Sequence, residues 1–286
     1  MWKHPLRQTG LFVERQPHIY PMRGFEISRM VMRKLRVDGG KEKVRNSIGV
    51  FIVGVLTLGL AGCVGVTITG SGHSITEARN VNNFNAVSLA GFGDVTIMQG
   101  AAEALTVEAE DNIMPLIKTE VKDGTLTLGF DRDNWSRSII PTRAIKFNLS
   151  VKNLNAIAML GAGSIRASDL KSDRLTVTVS GAGNVKLDRV DAAEVAVTIS
   201  GAGNVDLAGQ VTTQSAMLSG LGSYRAGDLV SQTARVQING VGGATLWARE
   251  NLDATINGTG SINYYGSPQI AKSINGLGTV TRLGSK

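Results

Sequence analysis

A pair of glycines separated by one residue recurs eight times from Gly91 onward, and that recurrence constrains the fold more than any other feature. The pairs are Gly91 and Gly93, Gly161 and Gly163, Gly181 and Gly183, Gly201 and Gly203, Gly220 and Gly222, Gly240 and Gly242, Gly258 and Gly260, and Gly276 and Gly278. From Gly161 onward the start-to-start spacings are 20, 20, 19, 20, 18 and 18 residues. A near-fixed period of this size belongs to stacks of one small unit, each burying its apolar face only against its neighbours.

The residues around the glycines define the unit. Two positions before the first glycine stand Leu89, Met159, Val179, Ile199, Leu218, Ile238, Ile256 and Ile274, all apolar. Two positions after the second stand Val95, Ile165, Val185, Val205, Tyr224, Ala244, Ile262 and Val280. Val177-Thr-Val-Ser-Gly and Asn184-Val-Lys-Leu alternate apolar and polar residues, the period of a strand with one buried face. Each repeat is therefore expected to be one coil of an all-β solenoid, with strands of successive coils stacked at about 4.8 Å. The glycines are expected to supply backbone angles closed to other residues, so that the chain turns sharply between strands. Ser180, Ser200, Ser219, Asn239, Asn257 and Asn275 directly precede the first glycine, which predicts polar ladders from coil to coil. A β-sandwich would not hold one glycine pair at constant register.

The first two copies stand 70 residues apart. Within that interval Thr106-Val-Glu-Ala-Glu and Thr125-Leu-Thr-Leu-Gly-Phe predict strands separated by a turn at Lys122-Asp-Gly, and residues 131–137 predict a polar loop around Trp135. Residues 101–150 are expected to elaborate the solenoid rather than form a separate domain.

The formal charge of +7 sits in the first 62 residues, which hold 11 Lys+Arg against 4 Asp+Glu; from Cys63 onward the counts are 19 and 19. A nucleic-acid partner is therefore not expected. A basic stretch from Lys41 to Arg45 leads into an uncharged apolar run from Ile48 to Leu60. Thirteen helical residues span roughly 20 Å, short of a hydrocarbon core of about 30 Å, so the run predicts a signal peptide and not a membrane span. The start of translation is expected at Met30 or Met32, because the preceding residues are too many for an ordinary signal-peptide head. Leu60-Ala61-Gly62-Cys63 ends the run and resembles a bacterial lipobox, which implies a lipid on Cys63. An ordinary signal peptide followed by a free cysteine is the alternative. The expected division is a leader over 1–62, a lipid-anchored linker over 63–78 and the solenoid over 79–286. Cys63 is the only cysteine, so a disulfide framework is excluded.

Taken together, Arg79-Asn-Val-Asn-Asn-Phe84, Gly93-Asp-Val-Thr-Ile-Met-Gln-Gly100, Val121-Lys-Asp-Gly-Thr-Leu126, the glycine pairs and Tyr264-Tyr-Gly-Ser-Pro268 resemble the head GIN domain family of auto-transporter adhesins, from about Gly70 onward. The resemblance implies a right-handed parallel β-helix related to pectin lyases, with the glycine pairs at tight turns, and a part in cell adhesion. In place of an auto-transporter's membrane barrel, a lipid on Cys63 is expected to anchor the chain.

Few residues suit catalysis or metal binding. His73 is the only histidine after Cys63, in a polar stretch where a solvated side chain is expected, so neither a hydrolytic triad nor a zinc site is predicted. The glycine pairs lack the strand-to-helix context of a nucleotide-binding loop, and no cofactor is expected. A glycan-cleaving β-helix would need paired carboxylates or a calcium-supported base in one groove. Glu108, Glu110, Asp111, Asp131, Asp133, Asp188, Asp191 and Glu194 do not recur at the repeat spacing and are expected on solvated faces. Regular outward threonines, as for ice binding, are not sustained either.

For a binding surface the candidates are Asp131, Asp133, Trp135 and Arg137 in the polar loop, and Trp247 beside inward Leu246; partial burial as packing residues is the alternative for both tryptophans. The expectation is a non-enzymatic, adhesin-like envelope lipoprotein, attached to the outer membrane through its lipid and contacting a protein or glycan. A periplasmic structural or sensing role is the runner-up, and a pectin-lyase-like activity on glycans stands behind it.

Overall fold

The computed structural model describes residues 67–131 and 138–286. Its strands are, in chain order, β1 (Thr67–Thr69), β2 (Ser74–Arg79), β3 (Ala86–Leu89), β4 (Phe92–Gln99), β5 (Ala104–Glu110), β6 (Ile117–Lys122), β7 (Thr125–Phe130), β8 (Ser138–Ile140), β9 (Lys146–Val151), β10 (Ala156–Met159), β11 (Ala162–Ala167), β12 (Leu170–Val179), β13 (Ala182–Ile199), β14 (Ala202–Leu218), β15 (Leu221–Ile238), β16 (Val241–Ile256), β17 (Thr259–Tyr265), β18 (Gln269–Ile274) and β19 (Leu277–Gly284). A 3-10 turn at Met114–Leu116 is the one helical element among them.

Parallel pairing stacks these strands into a β-solenoid. β3 lies on β10 and β10 on β12; β4 lies on β11 and β11 on β13; then β13, β14, β15 and β16 follow in order, and β17, β18 and β19 complete the stack. The second glycines form one continuous column, Gly93, Gly163, Gly183, Gly203, Gly222, Gly242, Gly260 and Gly278. Both predicted apolar columns face inward and are buried in all coils but the last, where Ile274 is exposed and Val280 half-buried. Each buried leucine, isoleucine or valine stabilises the stack by about 1.5–3 kcal/mol.

Most of these glycines are needed for a reason other than the predicted one. In the eight pairs only Gly93 and Gly163 have positive φ, 148° and 135°. Elsewhere the coils approach too closely for a side chain: a Cβ on Gly181 would lie 1.8 Å from the Gly161 carbonyl oxygen, and one on Gly183 would lie 2.1 Å from that of Gly163. The polar ladder also divides. Asn257 Nδ2 donates to Asn239 Oδ1 at 2.9 Å and Asn275 Nδ2 to Asn257 Oδ1 at 3.0 Å. A serine hydroxyl stops one atom beyond Cβ and does not span a coil spacing of about 4.8 Å. Asn204 and Asn184 form a further rung at 2.9 Å on the other side of the glycines.

Coils of 18, 19 and 20 residues share this register because length differences are absorbed away from the glycine corner. Register shifts fall at Leu187/Val190, Asp206/Ala208, Ala226/Val230 and Ser231/Thr233. Gln214 fills the core there. Its Nε2 donates to Ser231 Oγ at 2.8 Å and to the Trp247 carbonyl at 3.1 Å, and its Oε1 accepts from the Tyr224 hydroxyl at 2.8 Å. Burial pushes the Tyr224 phenol far above the ordinary tyrosine range.

Part of the 70-residue interval is itself a coil, placed out of sequence order. β7 pairs in parallel with β3, and β9 with β4, so residues after the first glycine pair return beneath it. Antiparallel pairs β2 with β5, β5 with β9 and β6 with β7 are added at this end of the stack.

Candidate functional site

The out-of-order coil brings two aromatic rings together. With Leu128 of β7 in register with Leu89 of β3, Phe130 reaches Phe92, ring centroids 4.6 Å apart and planes inclined by 35°. The two rings, Gly91, Ile139 and Leu160 line an apolar cleft of about 660 Å³. Lys118, Glu120 and Lys122 of β6 form a charged margin on it, with Lys118 and Glu120 paired at 3.2 Å. Leu160 stands 51% exposed at the position directly before the first glycine, where later coils carry serine or asparagine. The volume falls within the 300–1,000 Å³ of small-ligand sites.

Beside the cleft, the segments that follow β1 and β8 are held by a buried carboxylate. Glu110 accepts from the backbone N–H of Gly72 at 2.7 Å, from that of Thr142 at 2.9 Å and from the Thr142 hydroxyl. Burial raises its pKa, but the Thr142 hydroxyl and the backbone N–H groups of Gly72, Thr142 and Arg143 outweigh that and hold it at about 2. Neighbouring Asn112 accepts from Ser71 N–H at 3.0 Å and donates to the Thr69 carbonyl at 2.7 Å. Glu110 was expected on a solvated face; it is fully buried because residues 70–72 and 142–143 fold over it. Its alternation in Thr106-Val-Glu-Ala-Glu carries no signal of that cover.

A second recess, about 1000 Å³ and polar, opens where Asn83, Asn85, Asn153 and Asn155 face Lys171 and Asp191. Asn83 has a φ of 59° and donates its backbone N–H to Glu103 Oε2 at 2.9 Å. Side-chain amides in such density suit hydrogen bonding to neutral polar ligands.

Of the sequence candidates, Asp131 is exposed at the end of β7, next to Phe130 of the cleft. Asp133, Trp135 and Arg137 lie outside the described residues, as does Cys63; in sequence the three fall between Phe130 and Ile139, both of which line the cleft. Trp247 is half-buried, with the Arg249 guanidinium 6.0 Å from its ring centroid. It stands six coils from Asp131, about 29 Å at the spacing of stacked strands, so the two do not share a surface. Phe92, Phe130 and Leu160 were not among the candidates; the available signal was Leu128-Gly-Phe130, a degenerate echo of Leu89-Ala-Gly-Phe92. His73 is exposed, as expected. Among the described residues, no group of three or more His, Cys, Asp or Glu is placed to hold a metal ion, and no helix is long and apolar enough to cross a membrane.

A family model described as "Putative auto-transporter adhesin, head GIN domain" matches residues 83–268. The chain is similar to a crystal structure of a putative adhesin from Bacteroides fragilis, with 31% identity and a TM-score of 0.72, over 76% of this chain and 100% of that one. It is similar in fold to a putative lipid binding protein from Parabacteroides distasonis, at 24% identity and a TM-score of 0.65, over 76% and 99% of the two chains. A putative adhesin from the same species matches at 22% identity and a TM-score of 0.58, over 76% and 100%. No curated protein matches.

Proposed function

The chain belongs to the head GIN domain family of auto-transporter adhesins, and from that premise we propose that it is a lipid-anchored envelope protein that binds without catalysing a reaction. The observation that carries the reading is the apolar cleft at Phe92, Phe130 and Leu160: a preformed, partly aromatic recess bounded by charged residues. β1 starts four residues after Cys63 and pairs with β8, whose Ile139 lines the cleft, which supports an anchor near the contact site. The partner is a protein or glycan of a neighbouring cell. The test compares attachment of intact cells displaying the wild type, Leu160→Ser or Trp135→Ala. Attachment is expected to fall at least fivefold in Leu160→Ser and less in Trp135→Ala; unchanged attachment in both contradicts the reading. Cleavage of pectin or alginate that is lost in Asp94→Ala, Asp131→Ala or Asp188→Ala would put the enzymatic reading first.

A second reading rests on the composition of the same cleft. Phenylalanine walls with Lys118 and Lys122 at the margin suit an acyl chain with an anionic head group, in keeping with the structural neighbour described as lipid binding. Saturable uptake of a fluorescent fatty acid, lost in Leu160→Asp, supports it; no uptake by the wild type removes it.

A further inference from the structure

The two ends of the solenoid are finished differently. At one, the parallel stack gives way to antiparallel strands, β2 and β5 on β9 and β6 on β7. At the other, β18 pairs only with β16 and β19 only with β17, which leaves the outer edge of each strand without a partner among the described residues. Ile270, Ile274, Leu277 and Leu283 of this last coil stand 40%, 42%, 74% and 47% exposed. An unpaired edge with apolar side chains is a template for another strand.

The register shows what that strand would meet. Ile270, Lys272 and Ile274 stack on Leu252, Ala254 and Ile256, three core residues, so a lysine stands in a column that is apolar in the coils below. Arg282 likewise follows Tyr264, but its guanidinium is engaged, donating to the Gly266 carbonyl at 2.6 Å and to Ser267 Oγ at 2.7 Å. Lys272 makes no ion pair among the described residues, and no aspartate or glutamate occurs between residues 254 and 286. The edge therefore presents apolar, cationic, apolar side chains at alternate positions, beside a row of free backbone donors and acceptors.

We propose that β18 is a strand-addition site for an extended segment of a partner protein, one that sets a carboxylate opposite Lys272 between two apolar residues. Backbone hydrogen bonds hold such a strand, and its alternate side chains select it. A second copy meeting it through its own β18 would set the same unpaired ammonium against Lys272. The site lies at the opposite end from the cleft, so the proposal goes beyond the reading above and stands or falls without it.

The test uses two labelled heptapeptides, blocked at both termini, Thr-Thr-Val-Glu-Val-Thr-Thr and the same peptide with lysine in place of glutamate, titrated by fluorescence anisotropy. The wild type is expected to bind the glutamate peptide at least tenfold more tightly, with the preference weakening as salt rises. Lys272→Glu, at an exposed position and expected to melt with the wild type, should reverse the preference. Binding of neither peptide, or a preference that Lys272→Glu leaves unchanged, overturns the proposal. Self-association of Lys272→Val together with no peptide binding by the wild type also overturns it, by showing that the lysine only prevents end-to-end stacking.

Discussion

Replacing one hydrogen of Gly181 by a methyl group would set a carbon 1.8 Å from a backbone oxygen of the coil beneath, and neither coil can yield without breaking register. Gly181→Ala is expected to cost about 3 kcal/mol or more, whereas Gly243→Ala, whose added carbon would meet nothing nearer than 3.7 Å, should stay within about 0.5 kcal/mol. Equal urea midpoints for the two variants would contradict the close-approach account. The glycine positions were legible from their period, but their physical reason was not, because it lies in a residue of the next coil and not in local backbone angles. Glu110 was illegible for a related reason: its donors, Gly72, Thr142 and Arg143, lie 32 to 38 residues away. Because its folded pKa, about 2, lies below the ordinary 4.5, the carboxylate stabilises the fold fully above about pH 4.5, and the contribution is lost as pH falls toward 2. Thermal unfolding followed from pH 7 to 2 should show a loss in that window that is flattened in Glu110→Gln. Gln214→Leu would leave the buried Tyr224 hydroxyl without its acceptor and Ser231 Oγ without the amide donor, and is expected to cost about 2–4 kcal/mol by denaturant titration.

Strands and their inward faces follow from alternation and period, both properties of contiguous residues, and these were legible from Leu89 to Ile262. The strand at Thr125 to Phe130 was legible as a strand but not as a coil beneath the first, since chain order gives no sign that β7 returns under β3. That return makes the cleft. The shifts at Leu187/Val190 and Asp206/Ala208 show where the coil tolerates a change of length. One glycine inserted after Ala208 should therefore lower the melting temperature by only a few degrees, while one inserted after Ala202 would shift the stacked glycine columns and be expected to prevent folding. Similar circular dichroism melts for the two insertions would contradict the division into a fixed corner and an adaptable side.

At the largest scale, the described residues form a stack with antiparallel strands at one end, an aromatic cleft near them, and an unpaired parallel edge at the last coil. A lipid on Cys63 would tether the stack near β1, and Cys63→Ser should release the protein from membranes or leave it as unprocessed precursor; processed, membrane-bound Cys63→Ser protein contradicts the anchor. The account's central claim is display of this stack for binding, and addition of protease to intact cells tests it most directly. The account predicts that fragments from within residues 67–286 leave the cell surface while a periplasmic control protein stays whole. Full protection of the solenoid until the envelope is opened would contradict it and favour a periplasmic structural or sensing role.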